Sequence, residues 1–480
     1  MSSNCNSASL NVYVPSAQNA WDAKKVNHLF KRIAYGVSAS DTEQALLESP
    51  ATLVDRLIDE ALAKPLMRKP SWADDFDPEE PLANGPRLEW KVTFLNTMLK
   101  NGFRDRLSFF WSNHFVTGIP GYGCASYMYR YTKALQTHAL GNFKTFIHEI
   151  GLESAMLLYL NGNQNTKNRP NENYARELYE LFALGEGNGY TQTDIEETAR
   201  ALTGYNKRDT RCSPLYFVEN NFDDGEKTIF GRTGNWGYDD VITILFEERG
   251  NQIARFIVEK LYRFFVHPEL PENPAVINAL AATFESSGFE ITPVLRQLFK
   301  SEHFFNGDAM DVIIKSPVDL FLSFYGDTAF TVPDDDYMAN IFRWSRNANQ
   351  EVLIPPNVAG WQRDKDWISS PTLIARWTYV DRIIRDQFKA NEEQFRSLAL
   401  SITGPSNDVV YVSNTIVNKF LPEKLLTEQD YEIALDVFKS DSVPENYYED
   451  GSWNLDDEAV PKQVCLLLSH IVKQPEFQLK

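Results

Sequence analysis

NRPNENYARELYELFALGEGNGYTQTDIEETARALTGY, residues 168–205, is the stretch that decides the fold. Apolar residues recur in it every three or four positions, as at Tyr174, Leu178 and Leu181, and a glycine-rich segment separates its two halves. Such a period is typical of an α-helix that buries one face. The stretch therefore predicts two helices joined by a turn, and the same pattern recurs along most of the chain.

The composition of the whole chain is that of an acidic globular protein. Among its 480 residues are 31 Phe, 21 Tyr and 10 Trp, and 43% of the residues are hydrophobic, so there is ample material for a core. The formal net charge of −19 disfavours nucleic acid or an anionic membrane surface as a partner. Because no run of about 18 apolar residues occurs, no transmembrane helix is expected.

One region interrupts the helical pattern. Two β-prone runs flank a turn at Asp224-Gly225 within about 214–231, and this arrangement predicts a β-hairpin. The expected fold class is thus mainly α with a small β-hairpin insertion. A chain of this length fits roughly three average domains or one large domain, and both alternatives stay open on length alone.

The cysteines and the start of the chain bear on its compartment. Cys5, Cys124, Cys212 and Cys465 lie far apart without a CxxC motif, which predicts buried or bystander thiols rather than zinc ligands. A disulfide between Cys124 and Cys212 stays open, because separation in sequence does not determine distance in the fold. The first residues contain neither a Sec signal nor a twin-arginine pair, so a cytoplasmic chain is expected unless it begins after processing.

The first helix of the quoted stretch carries the densest set of polar groups. Asn173, Glu177 and Glu180 fall on one face, and Arg176 can pair with Glu172 or Glu180. Neighbouring carboxylates beside an arginine can perform acid–base chemistry or hold a cation, because their proximity separates their pKa values. A solvated helix face with salt bridges explains the same residues, and it is the favoured interpretation for this composition.

Two further segments contain candidate functional residues. His114 lies in the aromatic run FFWSNHF, where it could be a general base or metal ligand, although a hydrogen-bonded core histidine is the more common case. Asn357 and Trp361 belong to PPNVAGW, which predicts a rigid loop suited to a sugar or peptide, or equally a loop that plugs the core.

The predicted hairpin offers a candidate cation site. Asp223 and Asp224 could bind a divalent cation beside Lys227, although aspartate and glycine are also the ordinary residues of tight turns. The sequence contains no GxGxxG, GxxxxGK[ST], GxSxG, HExxH or EF-hand pattern. Dinucleotide-binding, nucleotide-binding, serine-hydrolase and zinc-protease functions are therefore disfavoured.

These segments resemble a bacterial family catalogued as domain of unknown function 1800 (DUF1800). The similar stretches are HLFKRIAYG, WSNHF, PNENYARELYELFALGEGNGYTQTDIEETARALTGY, FDDGEKTIFGRTGN, ARFIVEKLYRFFV, IKSPVDL, PPNVAGW and PEFQL, from His28 to Leu479. The resemblance implies a mainly helical protein and favours one large single domain over residues 28–480, after an N-terminal extension over residues 1–27. Within this domain, residues 388–480 are expected to form a looser C-terminal subregion.

The resemblance also has implications for compartment, partners and site residues. Similar proteins are usually exported and are often encoded beside a second family (DUF1501) that looks like sulfatases and alkaline phosphatases. The signature polar positions of the family fall on His114, Asn171, Glu172, Asn173, Arg176, Glu177, Asp223, Lys227, Asn357 and Trp361. Phe222 stands where the family usually has a histidine, so a metal or base function at that histidine would be impaired here.

The leading hypothesis is a hydrolase-like enzyme that acts on a cell-envelope glycan or peptide. Its predicted catalytic residues are Glu172 and Glu177 as the acid–base pair, Arg176 and His114; its predicted substrate-binding residues are Asn171, Asn173, Lys227, Asn357 and Trp361; and its predicted divalent-cation ligands are Asp223 and Asp224. The alternative is a non-catalytic envelope or assembly protein that partners a sulfatase-like or phosphatase-like hydrolase.

Overall fold

The computed structural model describes residues 9–79, 84–361, 363–421, 425, 427–440 and 443–480. Those residues form twenty-two α-helices and two small antiparallel sheets of two strands each. The predicted mainly α fold class is confirmed. Within the same residues, no helix combines the length and the apolar character needed to cross a membrane.

Eleven helices precede the first strand. They are α1 (Ala23–Ile33), α2 (Ala39–Leu46), α3 (Pro50–Ala63), α4 (Asn84–Asn101), α5 (Phe103–His114), α6 (Ile119–Tyr122), α7 (Ala125–His138), α8 (Phe143–Leu152), α9 (Ser154–Tyr159), α10 (Asn173–Glu177) and α11 (Gln192–Ala201). A wider π-helix, Leu178–Ala183, continues α10 directly. The two helices predicted from residues 168–205 are therefore present, and a capping box between Thr191 and Asp194 begins the second one.

Eleven more helices follow the strands. They are α12 (Tyr238–Phe265), α13 (Ala275–Ser286), α14 (Ile291–Phe299), α15 (Pro317–Thr328), α16 (Asp335–Asn347), α17 (Ser370–Ala390), α18 (Glu393–Thr403), α19 (Val409–Phe420), α20 (Glu428–Lys439), α21 (Glu445–Glu449) and α22 (Val460–Ile471). Short 3₁₀ turns occur at Ser71–Asp74, Gly162–Gln164, Glu219–Asn221, Gly307–Ala309, Asp364–Trp367 and Glu476–Gln478.

The hairpin insertion is present, but its turn does not lie where the sequence predicted it. Strand β1 (Tyr205–Lys207) pairs with β2 (Tyr216–Phe217), and β3 (Lys227–Ile229) pairs with β4 (Arg232–Gly234). The turn at Asp224-Gly225 therefore joins two different sheets, and its prediction as the hairpin turn was wrong. Phe230 and Gly231 make the hairpin turn with φ of 49° and 82°, the backbone shape that matches the twist of paired strands.

The core is rich in aromatic side chains, and Trp111 on α5 lies inside it with no exposed surface. Its ring centroid lies 5.9 Å from that of Phe115, 5.7 Å from Phe143 and 5.4 Å from Phe146. Its Nε1 donates a hydrogen bond of 3.0 Å to the Ala139 carbonyl, so the polar end of the indole is satisfied. One hydrophobic cluster extends from Tyr13 to Phe477, while the boundaries at residues 27 and 388 stay predictions.

A disulfide joins Cys124, just before α7, to Cys212, in the loop before β2. The two Cα atoms lie 5.8 Å apart across a sequence separation of 88 residues. The alternative that the sequence left open is thereby decided, and Cys465 is a free, buried thiol. The bond ties the strand insertion to the helical core by closing a long loop.

Replacing both Cys124 and Cys212 by serine should lower the free energy of unfolding by about 2–4 kcal/mol, because the unfolded chain regains the freedom of the closed loop. Chemical denaturation of the oxidised protein and of the double variant measures this difference. A thiol reductant should lower the Tm of the natural protein and leave that of the double variant unchanged. Equal sensitivity of both proteins to the reductant would contradict the assignment.

Candidate functional site

A cavity of about 680 Å³ lies where α5 and α12 meet the loops around Trp361 and Trp367. This volume is within the range of small-molecule sites. Its aromatic lining comes from Phe109, Phe110, Phe264, Trp361 and Trp367. An aromatic wall of this kind is suited to the flat or apolar part of a ligand.

Five cationic side chains line the same cavity: Lys260 and Arg263 from α12, Arg363 and the exposed Lys365 after Trp361, and Lys480. Lys480 pairs with Asp319. No carboxylate among the described residues forms an ion pair with Lys260, Arg263 or Arg363. Burial, together with Arg363 and Arg263, lowers the pKa of Lys260 to about 7. Burial and Arg263 lower the pKa of Arg363 to about 10. Lys260, Arg263 and Arg363 therefore place like charges near one another without an ion pair to any of them.

Carboxylates also line this cavity, but each faces other partners or solvent. Asp364 accepts a hydrogen bond of 3.2 Å from the backbone N–H of Ile314. Glu269 and Asp366 are exposed. Asp319 receives Lys480 at 2.5 Å. The lining thus holds five cations and four carboxylates, and Lys260, Arg263 and Arg363 form no ion pair with any of these carboxylates.

His114 lies behind the cavity wall and anchors Lys260. Burial and the nearby Lys260 hold the pKa of His114 well below its usual range, so the imidazole is neutral. In the tautomer that fits all contacts, Nε2 donates to the Phe182 carbonyl at 3.0 Å and Nδ1 accepts from the Lys260 ammonium at 3.1 Å. Lys260 also donates to the Leu181 carbonyl at 3.0 Å. Both carbonyls belong to the last turn of the π-helix, where backbone acceptors lack helical partners.

The loop that contains Trp361 is fastened to α5 through Asn113. The Asn113 side chain accepts a hydrogen bond of 2.6 Å from the Trp361 N–H and donates one of 3.3 Å to the Trp361 carbonyl. Gly360 is required beside it, since a Cβ there would lie 2.3 Å from Asn113 Oδ1 and φ is +86°. Asn357 is exposed, and its side chain accepts from the Ala359 N–H at 3.0 Å. The predicted ligand-binding residue Asn357 thus shapes the turn that presents Trp361.

The predicted acid–base helix lies elsewhere, and its residues do not line the cavity. Arg176 donates to Glu172 at 2.9 Å and to Gln192 at 3.0 Å. Glu177 is half-buried, and burial followed by the charge of Glu180 raises its pKa. This is a network of partly exposed salt bridges and amides, and the roles of Glu172, Arg176 and Glu177 in catalysis stay predictions.

Asn171 and Asn173 shape the backbone before and at the start of α10. The Asn171 side chain accepts from the Asn173 N–H at 3.0 Å, and the Asn173 amide donates to the Leu160 carbonyl at 3.1 Å. Neither residue lines the cavity. Their predicted contact with a substrate has no support from these positions.

At the predicted cation site, Asp223 forms an ion pair with Arg200. Arg200 donates two hydrogen bonds to the Asp223 carboxylate, of 2.8 and 3.2 Å. Asp224 is exposed. Lys227 is buried, donates to the Asp223 carbonyl and lies 4.7 Å from the centre of the Phe222 ring. In the described part of the chain, no group of three or more His, Cys, Asp or Glu side chains could hold a metal ion. A divalent cation at Asp223 and Asp224 stays a prediction without support from the contacts.

Of the predicted residues, only Trp361 lines the cavity, and His114 reaches it through Lys260. Sequence reasoning missed Asn113, Lys260, Arg263 and Arg363. Asn113, Lys260 and Arg263 lie within the quoted stretches WSNHF and ARFIVEKLYRFFV, and Arg363 follows PPNVAGW by two residues. The missed residues therefore lay within or close to segments that the sequence had singled out. A single segment does not indicate which other segments it contacts in the fold.

Comparison with known proteins gives one family. Residues 28–479 match the profile of the family described as "Protein of unknown function (DUF1800)". Neither the curated proteins nor the solved structures contain a match.

Replacing Lys260 by Met should make stability less dependent on pH. The folded protein releases the Lys260 proton near pH 7, whereas the unfolded chain keeps it until about pH 10.5. The unfolded state binds more protons between these values, so this lysine destabilises the fold at and below pH 7 and less so as the pH rises. The difference in unfolding free energy between the variant and the natural protein should therefore favour the variant most below pH 7 and shrink toward pH 10.

The exposed Lys389→Met variant is the control, and its difference from the natural protein should not change with pH over this range. Denaturant unfolding at several pH values measures both differences. A difference for Lys260→Met that is constant from pH 6 to 10 would show that the ammonium is not desolvated.

Replacing Gly360 by Ala should destabilise the protein more than replacing Gly231 by Ala. Both glycines have similar positive φ, +86° and +82°, but a Cβ at Gly231 would have no neighbour within 4 Å. The alanine at position 231 should cost about 1–2 kcal/mol for its backbone alone, and the alanine at position 360 about 1–3 kcal/mol more for the overlap with Asn113. Thermal and denaturant unfolding of the pair would measure this difference, and equal losses would contradict the close approach.

Proposed function

This chain belongs to the DUF1800 family. We propose that it binds an anionic ligand with a ring-shaped or apolar body in the 680 Å³ cavity. The observation that carries the proposal is the set of three cations, Lys260, Arg263 and Arg363, that line one aromatic-walled cavity without a carboxylate partner.

The electrostatics favour an anion. Like charges in a partly buried space raise one another's free energy, and an anion in the cavity would relieve this repulsion. Arg263 and Arg363 offer planar guanidinium groups, which bind carboxylate, sulfate or phosphate oxygens in pairs. The chain as a whole has a net charge of −19, so this local excess of positive charge runs against the composition.

The aromatic lining favours a ligand with more than a charged group. Trp361 and Trp367 are both largely buried, yet both contribute to the cavity surface. Faces of this kind pack against sugar rings and apolar side chains. An acidic glycan fragment, or a peptide that ends in a carboxylate, combines these properties and is consistent with the cell-envelope substrates expected from the sequence.

We also propose that the bound ligand is hydrolysed, with Lys260 as the acid or base. Because the pKa of Lys260 is lowered to about 7, its amine can accept or release a proton near neutral pH. The neutral His114 holds that amine at 3.1 Å from its Nδ1. Lys260 is therefore better placed for acid–base chemistry in this cavity than Glu172 or Glu177.

The disulfide between Cys124 and Cys212 supports an oxidising compartment, since such bonds rarely persist in a reducing cytoplasm. This agrees with the export expected from the family resemblance. A non-catalytic association with a sulfatase-like or phosphatase-like partner stays a prediction, because no contact of the described residues bears on it.

The probe 8-anilinonaphthalene-1-sulfonate, a fluorescent aromatic anion, tests the binding proposal. We expect saturable binding to the natural protein. Arg263→Ala and Arg363→Ala should each weaken it about tenfold or more, because each removes a charge-assisted hydrogen bond to the sulfonate. Fluorescence titration measures the Kd, and near-ultraviolet circular dichroism verifies that each variant keeps its packed core.

Two variants are controls for this titration: Arg343→Ala, an exposed arginine of α16, and Glu177→Gln, which lies outside the cavity lining. Neither should change the Kd. A uronic acid should compete with the probe better than the matching neutral sugar. Unchanged binding in both cavity variants, or loss of binding in Glu177→Gln alone, would refute the cavity as the site.

A further inference from the structure

A second, very small cavity lies beside the large one, where segments far apart in sequence meet. Its volume is about 10 Å³. Its lining residues come from two of the quoted stretches, from α5 and α15, and from Lys480: Lys31, Ala34, Tyr35 and Gly36 from HLFKRIAYG; Lys315 and Asp319 from IKSPVDL; Arg106 from α5; and Ser323 from α15. A cavity of this size accommodates one atom or one water molecule. Asp319 and Lys480 also line the large cavity.

The surroundings of the small cavity contain more positive than negative charge. Four buried cations line it, Lys31, Arg106, Lys315 and Lys480. Two more buried cations are near: the charge of Arg376 acts on Lys315 and that of Arg32 on Lys480. Three carboxylates accompany them: Asp311, Asp319 and Asp327. Burial of unbalanced charge is costly, so the site lacks negative charge.

The carboxylates are already engaged. Asp319 lies 2.8 Å from Arg106 Nη2 and 2.5 Å from Lys480 Nζ. Asp311 accepts from Lys31 at 3.1 Å. Asp327 accepts from the Val37 N–H at 3.1 Å. None of the three carboxylates forms an ion pair with Lys315.

Lys315 is the residue that most directly indicates an anion in the small cavity. Its side chain lines the small cavity, the residue is 1% exposed, and its Nζ has no hydrogen-bond partner in the described part of the chain. The contact that the ammonium does make is with the Phe477 ring, whose centre lies 4.0 Å away. Arg106 Nε and Arg32 Nε are buried without hydrogen-bond partners as well. A buried ammonium that lines a cavity can donate hydrogen bonds into it.

We propose that the small cavity binds one monatomic anion of the halide class, with chloride as the physiological candidate, held by Lys315 and the neighbouring cations. Its volume excludes polyatomic anions such as sulfate or a carboxylate-bearing metabolite. The excess of positive charge favours an anion over a water molecule. The site is independent of the ligand proposed for the large cavity, because it uses different donors and a different class of anion.

A competing explanation is that lysines here are neutral and the cavity holds water. Burial, with Lys31 as the next cause, lowers the pKa of Lys315 to about 7, and burial with Arg106 lowers that of Lys480 to about 7. Loss of one or two protons would reduce the excess charge without an ion. The two explanations differ in one measurable property, the dependence of stability on chloride.

The experiment compares chloride with gluconate, an anion too large for the cavity, at constant pH and ionic strength. As chloride replaces gluconate from about 1 to about 200 mM, the Tm should rise by a few degrees and then level off, because only the folded state has the site. Bromide should act in the same way. A crystal soaked in bromide should show an anomalous peak between Lys315 and Arg106.

Lys315→Met is the matched variant, with a side chain of similar length and no charge. Its Tm in gluconate should equal or exceed that of the natural protein, because a buried unpaired charge has been removed. Its Tm should no longer respond to chloride. Lys389→Met, an exposed lysine on α17, should keep the full response.

Three results would overturn the proposal. Equal Tm values in chloride and gluconate would favour water beside neutral lysines. A chloride response that persists in Lys315→Met would place the ion elsewhere. If Lys315→Met does not fold, the absence of a bromide peak in the natural protein would decide against the site.

Discussion

Asp319 is the residue on which the arrangement of the described elements depends most directly. Its two carboxylate oxygens receive Arg106 from α5 and Lys480 from beyond α22, while its own backbone begins α15 in a capping box with Ser316. Burial alone would raise the pKa of Asp319, but Arg106 and Lys480 hold it well below its usual range. Three segments that are hundreds of residues apart are thereby joined at one buried point. Loss of one partner from such a pair typically costs about 3–5 kcal/mol, because the other charge stays buried without compensation.

The position of Asp319 also explains why two cavities of different character lie side by side. On one side, aromatic walls and the side chains of Lys260, Arg263 and Arg363 surround a space large enough for an organic ligand. On the other side, lysines and arginines surround a space that fits one atom. Asp319 and Lys480 form part of both walls. The charge pair that joins α5, α15 and Lys480 therefore separates the two cavities.

The contrast between His114 and the Glu172–Glu177 helix shows how far residue type alone can indicate chemistry. Both were candidates from sequence. The imidazole is neutral and fully engaged, and its influence on the cavity is indirect, through the amine of Lys260. The glutamates lie in a salt-bridge network with Arg176 and do not line the cavity. His114 thus lies next to the proposed ligand cavity, whereas Glu172 and Glu177 lie outside its lining, and the catalytic roles of all three stay predictions.

Local features of the chain were determined by the sequence itself, because neighbours along the chain decide them: the helical period at Tyr174 and Leu178, the cap at Thr191, and the mainly α class. The tertiary structure alone decided which distant residues meet. The Asn113–Trp361 contact spans 248 positions, and the disulfide spans 88. The hairpin turn lies at Phe230-Gly231 rather than at Asp224-Gly225, because β3 pairs with β4. The tertiary structure also decides that Lys260, Arg263 and Arg363 have no ion-pair partner. Whether a cation has a counter-charge depends on packing across the whole fold, and that information does not reside in any local pattern.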